Sequence, residues 1–370
     1  MCHTTIKQYL CTKFFHRIRF LRFKVCDLLG NKRTFFISHP QSFFGKTKNM
    51  TTFVPDNMTR FELNILGCGS ATMTPRHTPS CQVLNIRDNL FMIDCGEGAQ
   101  LAVRRMKLKL MRLNHIFISH LHGDHCFGLP GLVSTMALLN RNSSLTIHTF
   151  KDGADLFSQM LDYFCRERPF EIRFNVIDTH KRVIYEDDAV TVTSFPLVHR
   201  VPAVGFLIAE KPKLRHIIGE EVQRLGIPHY AMNTLRQGQD WVSPDGTVIP
   251  NEQLTTPADA AISYAYCSDT KFSRRVIKNV EGVDWLYHEA TYDDSLRLKA
   301  HKRHHSTALE AATVAREAGA RQLIIGHFSK RYLDESLLLD EARSIFPNTR
   351  LANEGLTIDL NSINTEDLEK

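Results

Sequence analysis

The chain has 370 residues, 43% hydrophobic and 23% charged, with a net charge of +6. That composition suits a folded chain with one large core or two smaller ones, and it excludes a low-complexity or disordered protein. No apolar run is long enough to span a bilayer, and the nine cysteines form no C-x-x-C pair, which argues for reduced thiols and against a disulfide framework or a thiolate zinc site.

The basic excess is local. Residues 1–57 hold ten Lys or Arg against two Asp, and the remainder is close to neutral, with 36 basic and 38 acidic residues. The main body therefore carries no overall charge bias toward nucleic acid. The N-terminal segment is rich in Phe and Arg and has neither a helical nor a strand period. It reads as an extension ahead of a domain spanning 58–370 with Met58 as the natural start; an organelle transit peptide is the alternative. An alternating strand opens immediately after Met58 in "MTRFELNILGCGSA".

Strand patterns then follow at 61–67, 81–86 and 89–96, as expected for a β-meander. Residues 99–110 read as helical, and "NHIFIS" (114–119) reads as a short buried strand. A helix over 128–141, a strand over 144–150, a helix over 153–165 and strands near 171–177 and 189–195 complete the first set. After residue 260 the alternation resumes, with strands over 261–269, 283–290 and 321–328. The intervening helix opens on a T-x-x-E capping box, Thr307 and Glu310, and exits at Gly319. Two β-rich halves with outer helices predict a four-layer αββα sandwich of the α/β class.

The chemistry lies at strand ends. "NHIFIS" runs into His120, "VTVTSFPLV" into His199, "AISYAYCS" into Asp269, "VDWLY" into His288 and Glu289, and "QLIIG" into His327. The stretch "SHLHGDHCFG" adds His122, Asp124 and His125 to His120 within six positions. A single histidine after a strand is ordinary, but this many groups at one sheet edge converge on one place. Imidazoles and carboxylates without thiolates suit zinc, with manganese or iron as alternatives. Six or seven ligands exceed the needs of one tetrahedral ion, so two are expected, with Asp269 able to bridge.

At this point the chain resembles a known family. "HLHGDH" matches the H-x-H-x-D-H signature of the metallo-β-lactamase fold. "CSDT" (267–270), "HEAT" (288–291) and "HSTALEAA" (305–312) narrow the resemblance to ribonuclease Z, the tRNA 3′-processing endoribonuclease, in its short form. It covers roughly residues 60–360. The resemblance implies a first zinc on His120, His122 and His199, a second on Asp124, His125 and His327, and Asp269 between them. It further implies Asp124 as proton acceptor, His305 as the residue acting on the leaving oxygen, and Glu289 orienting His305. Asp94 of "DCGEG" is expected to support the site from behind; His301 and His304 read as ordinary loop residues.

Residues 210–257 form a long insertion between strands, at the place of the family's protruding tRNA-gripping arm. A structureless connection of this length is often functional, and "SPDGT" within it reads as a tight turn. The arm tip departs from the family's Gly-Pro pattern, and its cations are confined to "KPKLRH", so Lys211, Lys213 and Arg215 are the expected RNA contacts. Arg76, in the loop after the first strand, is expected near the tRNA 3′ end. The resemblance also implies a homodimer acting on precursor tRNA in the cytoplasm, leaving a tRNA 3′-hydroxyl and a trailer 5′-phosphate. Two rivals keep the same fold: a hydrolase of small phosphodiesters or sulfate esters, which needs no arm, and a non-catalytic tRNA-binding protein, whose metal ligands need not persist.

Overall fold

Residues 60–362 are described in the computed structural model, so the expected N-terminal extension and Met58 lie outside the described residues. The first half supplies strands β1 (Phe61–Gly67), β2 (Cys81–Ile86), β3 (Asn89–Ile93), β4 (Leu113–Phe117), β5 (Leu145–Thr149) and β6 (Ile172–Val176). These form one sheet in that order: β1–β3 are an antiparallel meander, as expected, and β3–β6 run parallel. Helices α1 (Ala99–Arg105), α2 (Gly123–Cys126), α3 (Leu129–Leu138) and α4 (Lys151–Phe164) connect the strands.

The second sheet starts with β7 (Arg182–Glu186), β8 (Val190–Pro196) and β9 (Val204–Glu210). The arm follows, with β10 (His216–Ile217), α5 (Gly219–Arg224), α6 (Met232–Arg236), β11 (Trp241–Val242), β12 (Val248–Ile249), α7 (Asn251–Leu254) and β13 (Thr255–Thr256). Next come β14 (Ser263–Cys267), α8 (Arg274–Asn279), β15 (Trp285–Glu289), α9 (Arg297–Arg303), α10 (Ala308–Ala318), β16 (Gln322–Gly326), α11 (Ser336–Ile345), β17 (Thr349–Leu351) and β18 (Thr357–Asp359). The sheet order is β17-β16-β15-β14-β9-β8-β7, while β18 returns to pair with β1 at the edge of the first sheet.

Alternation along each strand divides the apolar residues between two cores. Phe61, Leu63 and Ile65 of β1, Leu84 and Ile86 of β2 and Phe91 and Ile93 of β3 join Phe206, Tyr264, Tyr266 and Trp285 of the second sheet. Val83, Leu90 and Met92 point the other way, onto Val103, Leu132, Met136 and Phe157 of α1, α3 and α4. On the second sheet the outer layer is α10, whose Ala308, Ala311, Ala312 and Ala315 are all buried and let helix and sheet approach closely. Each fully buried large side chain contributes about 1.5–3 kcal/mol of transfer free energy. The result is the expected αββα sandwich.

The Thr307–Glu310 capping box is formed in both directions, and Gly319 takes the left-handed conformation that ends α10. The arm differs from the structureless connection expected of it. It has its own small core of Ile227, Ala231, Leu235 and Leu254, with Trp241 and Ile249 packed against it. Its base is the β10–β13 pair, and "SPDGT" closes a β11–β12 hairpin in which Gly246 donates to the Ser243 carbonyl at 2.9 Å.

Candidate active site and metal centre

Every expected ligand arrives at one edge of the two sheets. After β4 the chain extends through His122 (φ −74°, ψ 148°) and turns at once into the single turn of α2, which presents Asp124 and His125 beside His120. Gly123 is helical rather than left-handed, and a Cβ there would displace the ring of exposed Phe127. Asp94, Asp269 and His327 close their strands in the left-handed region, with φ of 55°, 39° and 61°. Such conformations are costly for residues with a Cβ and persist where the surroundings enforce them.

The donor atoms fall into two sets. In the first, His122 Nδ1 lies 3.1 Å from His120 Nε2 and 3.2 Å from His199 Nε2. Asp269 Oδ2 is 3.5 Å from both His120 Nε2 and His199 Nε2. In the second set, Asp124 Oδ2 lies 3.5 Å from His125 Nε2 and 3.6 Å from His327 Nε2. The other Asp269 oxygen, Oδ1, is 3.3 Å from His125 Nε2 and 3.0 Å from His327 Nε2. One carboxylate therefore turns one oxygen to each set.

The outer nitrogen of each of four imidazoles is held by the protein, which fixes the tautomer and leaves the inner nitrogen's lone pair facing the site. His120 Nδ1 meets Ser119 Oγ at 3.1 Å, His125 Nδ1 donates to Asp94 at 2.7 Å, and His199 Nδ1 donates to the His304 carbonyl at 3.0 Å. His327 Nδ1 meets Thr291 Oγ1 at 2.9 Å, and that hydroxyl donates to Glu289 at 2.6 Å. Asp94 is fully buried and also accepts from Ser119 N, Ser119 Oγ and Tyr266 OH at 2.7–2.9 Å.

These residues fit metal ions on their own chemistry. His125 Nε2 and His327 Nε2 are buried, make no well-directed hydrogen bond among the described residues, and face the oxygens of Asp124 and Asp269 at 3.0–3.6 Å. Burial opposes charge on His125, yet Asp94, Asp269 and Asp124 hold its pKa well above the ordinary value. His327 is likewise raised to about 10 against burial, chiefly by Asp269 and Asp124. The same carboxylates that hold a proton there would hold a cation in its place. Burial lowers His120, and it lowers His199 to about 4, so both favour the neutral, ligating form.

His305 stands beside the second set without joining it through its outer nitrogen. Its Nδ1 is 3.0 and 3.1 Å from the two oxygens of buried Glu289, which holds the His305 pKa up against burial. Glu289 is itself held by the Thr270 amide at 2.6 Å. The site opens into a cavity of about 720 Å³ lined by Asp124, His305 and His327 together with several cations.

The other expected contacts are occupied. Arg76 pairs with Glu335 at 2.7 Å and donates to the Leu333 carbonyl. Its neighbour His77 is clasped between Glu354 at 2.7 Å and Glu335 at 3.0 Å, so this loop is anchored to the C-terminal segments. Lys211 pairs with Glu186 at 2.9 Å, Lys213 with Glu210 at 3.0 Å, and Arg215 donates to Thr255 Oγ1 at 2.7 Å. All three sit at the base of the arm. His301 pairs with Glu310 at 2.6 Å, in keeping with a structural role. His304 does more than an ordinary loop residue: its left-handed backbone (φ 60°) aims its carbonyl at His199. No sequence pattern marks that role, because the carbonyl is common to all residues.

The sheets and the paired donor sets define a metallo-β-lactamase-fold hydrolase. The chain is similar to a metallo-β-lactamase fold protein from Bacillus subtilis, at TM-score 0.57 and 18% identity over 81% of this chain and 99% of that one. It is also similar to the short form of human tRNase Z, at TM-score 0.59 and 25% identity over 81% of this chain and 99% of that one. A family model described as anti-Pycsar protein Apyc1 matches residues 61–214. Ribonuclease Z of Bacteroides fragilis is 53% identical over 304 residues, covering 82% of this chain and all of the relative. The chain belongs to the ribonuclease Z family of tRNA 3′-processing endoribonucleases.

Proposed function

We propose that this endoribonuclease holds two zinc ions and hydrolyses the phosphodiester on the 3′ side of the precursor tRNA acceptor stem, leaving a tRNA 3′-hydroxyl and a trailer 5′-phosphate. The observation that carries this reading is Asp269, which offers Oδ2 to His120 and His199 and Oδ1 to His125 and His327. The first ion would sit on His120, His122 and His199, the second on Asp124, His125 and His327, with Asp269 shared. Nitrogen and oxygen donors without thiolate suit zinc. When bound, the ions would act as Lewis acids on the phosphate and make water more acidic.

The chain's own groups handle the protons. Asp124 faces the cavity and accepts the proton of the attacking water as its oxygen bonds to phosphorus. As the bond from phosphorus to the 3′-oxygen breaks, His305 delivers a proton from Nε2 to that oxygen. Glu289 engages Nδ1, which keeps Nε2 turned toward the cavity and stabilises the charged ring.

The arm would position the tRNA body through contacts far from the reacting bond. Arg76, Lys211, Lys213 and Arg215 would enter RNA contacts by exchanging their protein partners for phosphate. Exposed Leu138 of α3 and Tyr163 and Phe164 of α4 support a homodimer, since large apolar side chains gathered on adjoining helices mark association surfaces. The six cysteines among the described residues are free and buried, which supports a reducing compartment such as the cytoplasm. No helix among the described residues is long and apolar enough to cross a membrane. The catalytic unit would begin near Met58.

The test incubates the purified chain and zinc with end-labelled precursor tRNA, beside a chromogenic phosphodiester. Cleavage at the acceptor-stem boundary with the stated ends is expected. Turnover of the small diester without any cleavage of the precursor would favour the small-ester rival.

A further inference from the structure

The rim of the cavity carries a charge feature that the proton chemistry does not use. Arg200, Lys299, Arg303, Lys330 and Arg331 all line it, and among the described residues its lining carboxylates are Asp124 and Asp269, both proposed to hold metal. Of these five, Arg331 lies 5.0 Å over the Tyr292 ring. Arg200, Lys330, Lys299 and Arg303 are exposed, and among the described residues none of the four side chains has a hydrogen bond, ion pair or ring contact. What sets Lys299 and Arg303 apart is their place. They stand four residues apart on α9 (Arg297–Arg303), so they share one face of the helix, and both reach the same cavity. Two like charges at this spacing repel and destabilise an isolated helix slightly. An anion between them would offset that cost.

Their place relative to His305 says which anion. The His305 amide donates to the Ala300 carbonyl at 2.9 Å, which ties the proton donor to the end of α9. Under the proposed reaction, on which this inference rests, His305 serves the 3′-oxygen of the last tRNA nucleotide. The nucleotide bearing that oxygen must lie on the α9 side of the centre. Its other backbone phosphate, one linkage upstream of the scissile bond, is then the anion nearest this helix face.

We propose that Lys299 and Arg303 form a clamp for the phosphate immediately 5′ of the scissile linkage, holding the last tRNA nucleotide while the trailer side is held elsewhere on the rim. The clamp reads backbone charge rather than base identity, as most protein contacts to phosphate do. It sets where the 3′-oxygen sits relative to His305.

The test combines a protein change with a single neutral linkage. Precursor tRNAs are made with one methylphosphonate, either at the linkage just upstream of the scissile bond or at the linkage just downstream. Each is cut by the wild type and by the Lys299→Gln/Arg303→Gln double variant with zinc present, and kcat/KM is compared. The double variant should lose about 10–100-fold on the unmodified precursor, the scale of a charge-assisted hydrogen bond. The upstream neutral linkage should cost the wild type a similar factor and cost the variant almost nothing further. The downstream neutral linkage should cost both proteins equally. Full, independent losses at the upstream linkage, or a downstream linkage that costs the wild type but not the variant, would overturn the clamp, as would a double variant equal to wild type. If the wild type cuts no unmodified precursor, the functional reading fails and the clamp with it. Normal wild-type cleavage with additive losses sinks the clamp alone. Binding of uncleaved RNA to the metal-free proteins, followed against salt, supplies a second readout: the variant's log–log slope should be shallower by about one phosphate. An unchanged slope would count against the contact.

Discussion

Asp94→Asn exchanges one oxygen for an amide with almost no change in shape. Asp94 is fully buried, and its two oxygens accept from four donors: Ser119 N, Ser119 Oγ, His125 Nδ1 and Tyr266 OH, all at 2.7–2.9 Å. An asparagine has one accepting oxygen. If its NH₂ takes the Oδ2 position, it confronts His125 Nδ1–H and Tyr266 OH. If it takes the Oδ1 position, it confronts the Ser119 amide. Either way at least one buried donor loses its acceptor, at a cost of about 1–3 kcal/mol. At roughly 1–2 °C per kcal/mol in a chain of this size, the metal-free variant should melt a few degrees lower. The first orientation also favours moving the His125 proton from Nδ1 to Nε2, which is the proposed metal-binding atom. Losing an outer-shell partner of a ligating histidine typically costs 10–100-fold in metal affinity. The loss should fall mainly on the second donor set, because the first feels Asp94 only indirectly, through Ser119 Oγ and His120 Nδ1. The assay is competition of the purified variant against a graded chelator, with melting followed separately on metal-free protein. Wild-type affinity at both sites, with an unchanged melting temperature, would refute the claim that Asp94 sets the His125 tautomer.

Asp124→Ala should abolish precursor cleavage, because the carboxylate belongs to the second donor set and is the proposed acceptor of the water's proton; circular dichroism and metal analysis should show a folded chain with a weakened second site. His305→Ala should lose cleavage by about 10²–10⁴-fold and retain both metals, whereas loss of metal would place His305 among the ligands and move His327 out. Shortening residues 210–257 to a tight turn should leave the metal content intact and collapse precursor affinity, measured by filter binding at several salt concentrations; unchanged affinity would make the arm an ordinary loop. A chain beginning at Met58 should fold and cleave like the full chain, and precipitation would show that the N-terminal segment packs on the domain.

Much of the candidate site was legible because its proposed ligands sit at the ends of apolar runs. Buried strands are recognisable by period and length, and their ends meet at one edge, so His120, His199, Asp269 and His327 could be gathered from one dimension. The Thr307 capping box was local for the same reason. What was hidden depends on long-range pairing. Nothing beside Arg76 announces Glu335, 259 residues away, which holds it at 2.7 Å. The hydroxyl of Tyr266 reaches Asp94 across 172 positions, and its neighbours present an ordinary strand. The left-handed backbones of Asp94, Asp269, His304 and His327 fall on residue types that adopt this region more often than most, but nothing local says which Asp or His will do so. The arm was misread as structureless because its helices are short and its core is only a handful of side chains, too few to impose a period on 48 residues of sequence.

The central claim is that two donor sets sharing Asp269 work together on a precursor tRNA. Metal-free protein titrated with zinc, with cleavage of a labelled precursor followed at each addition, tests it most directly. Cleavage should be absent at the start, rise through the second equivalent per chain, and then level off, with products ending in a tRNA 3′-hydroxyl and a trailer 5′-phosphate. Cleavage that saturates at one equivalent, or that persists unchanged after metal removal, would contradict the account.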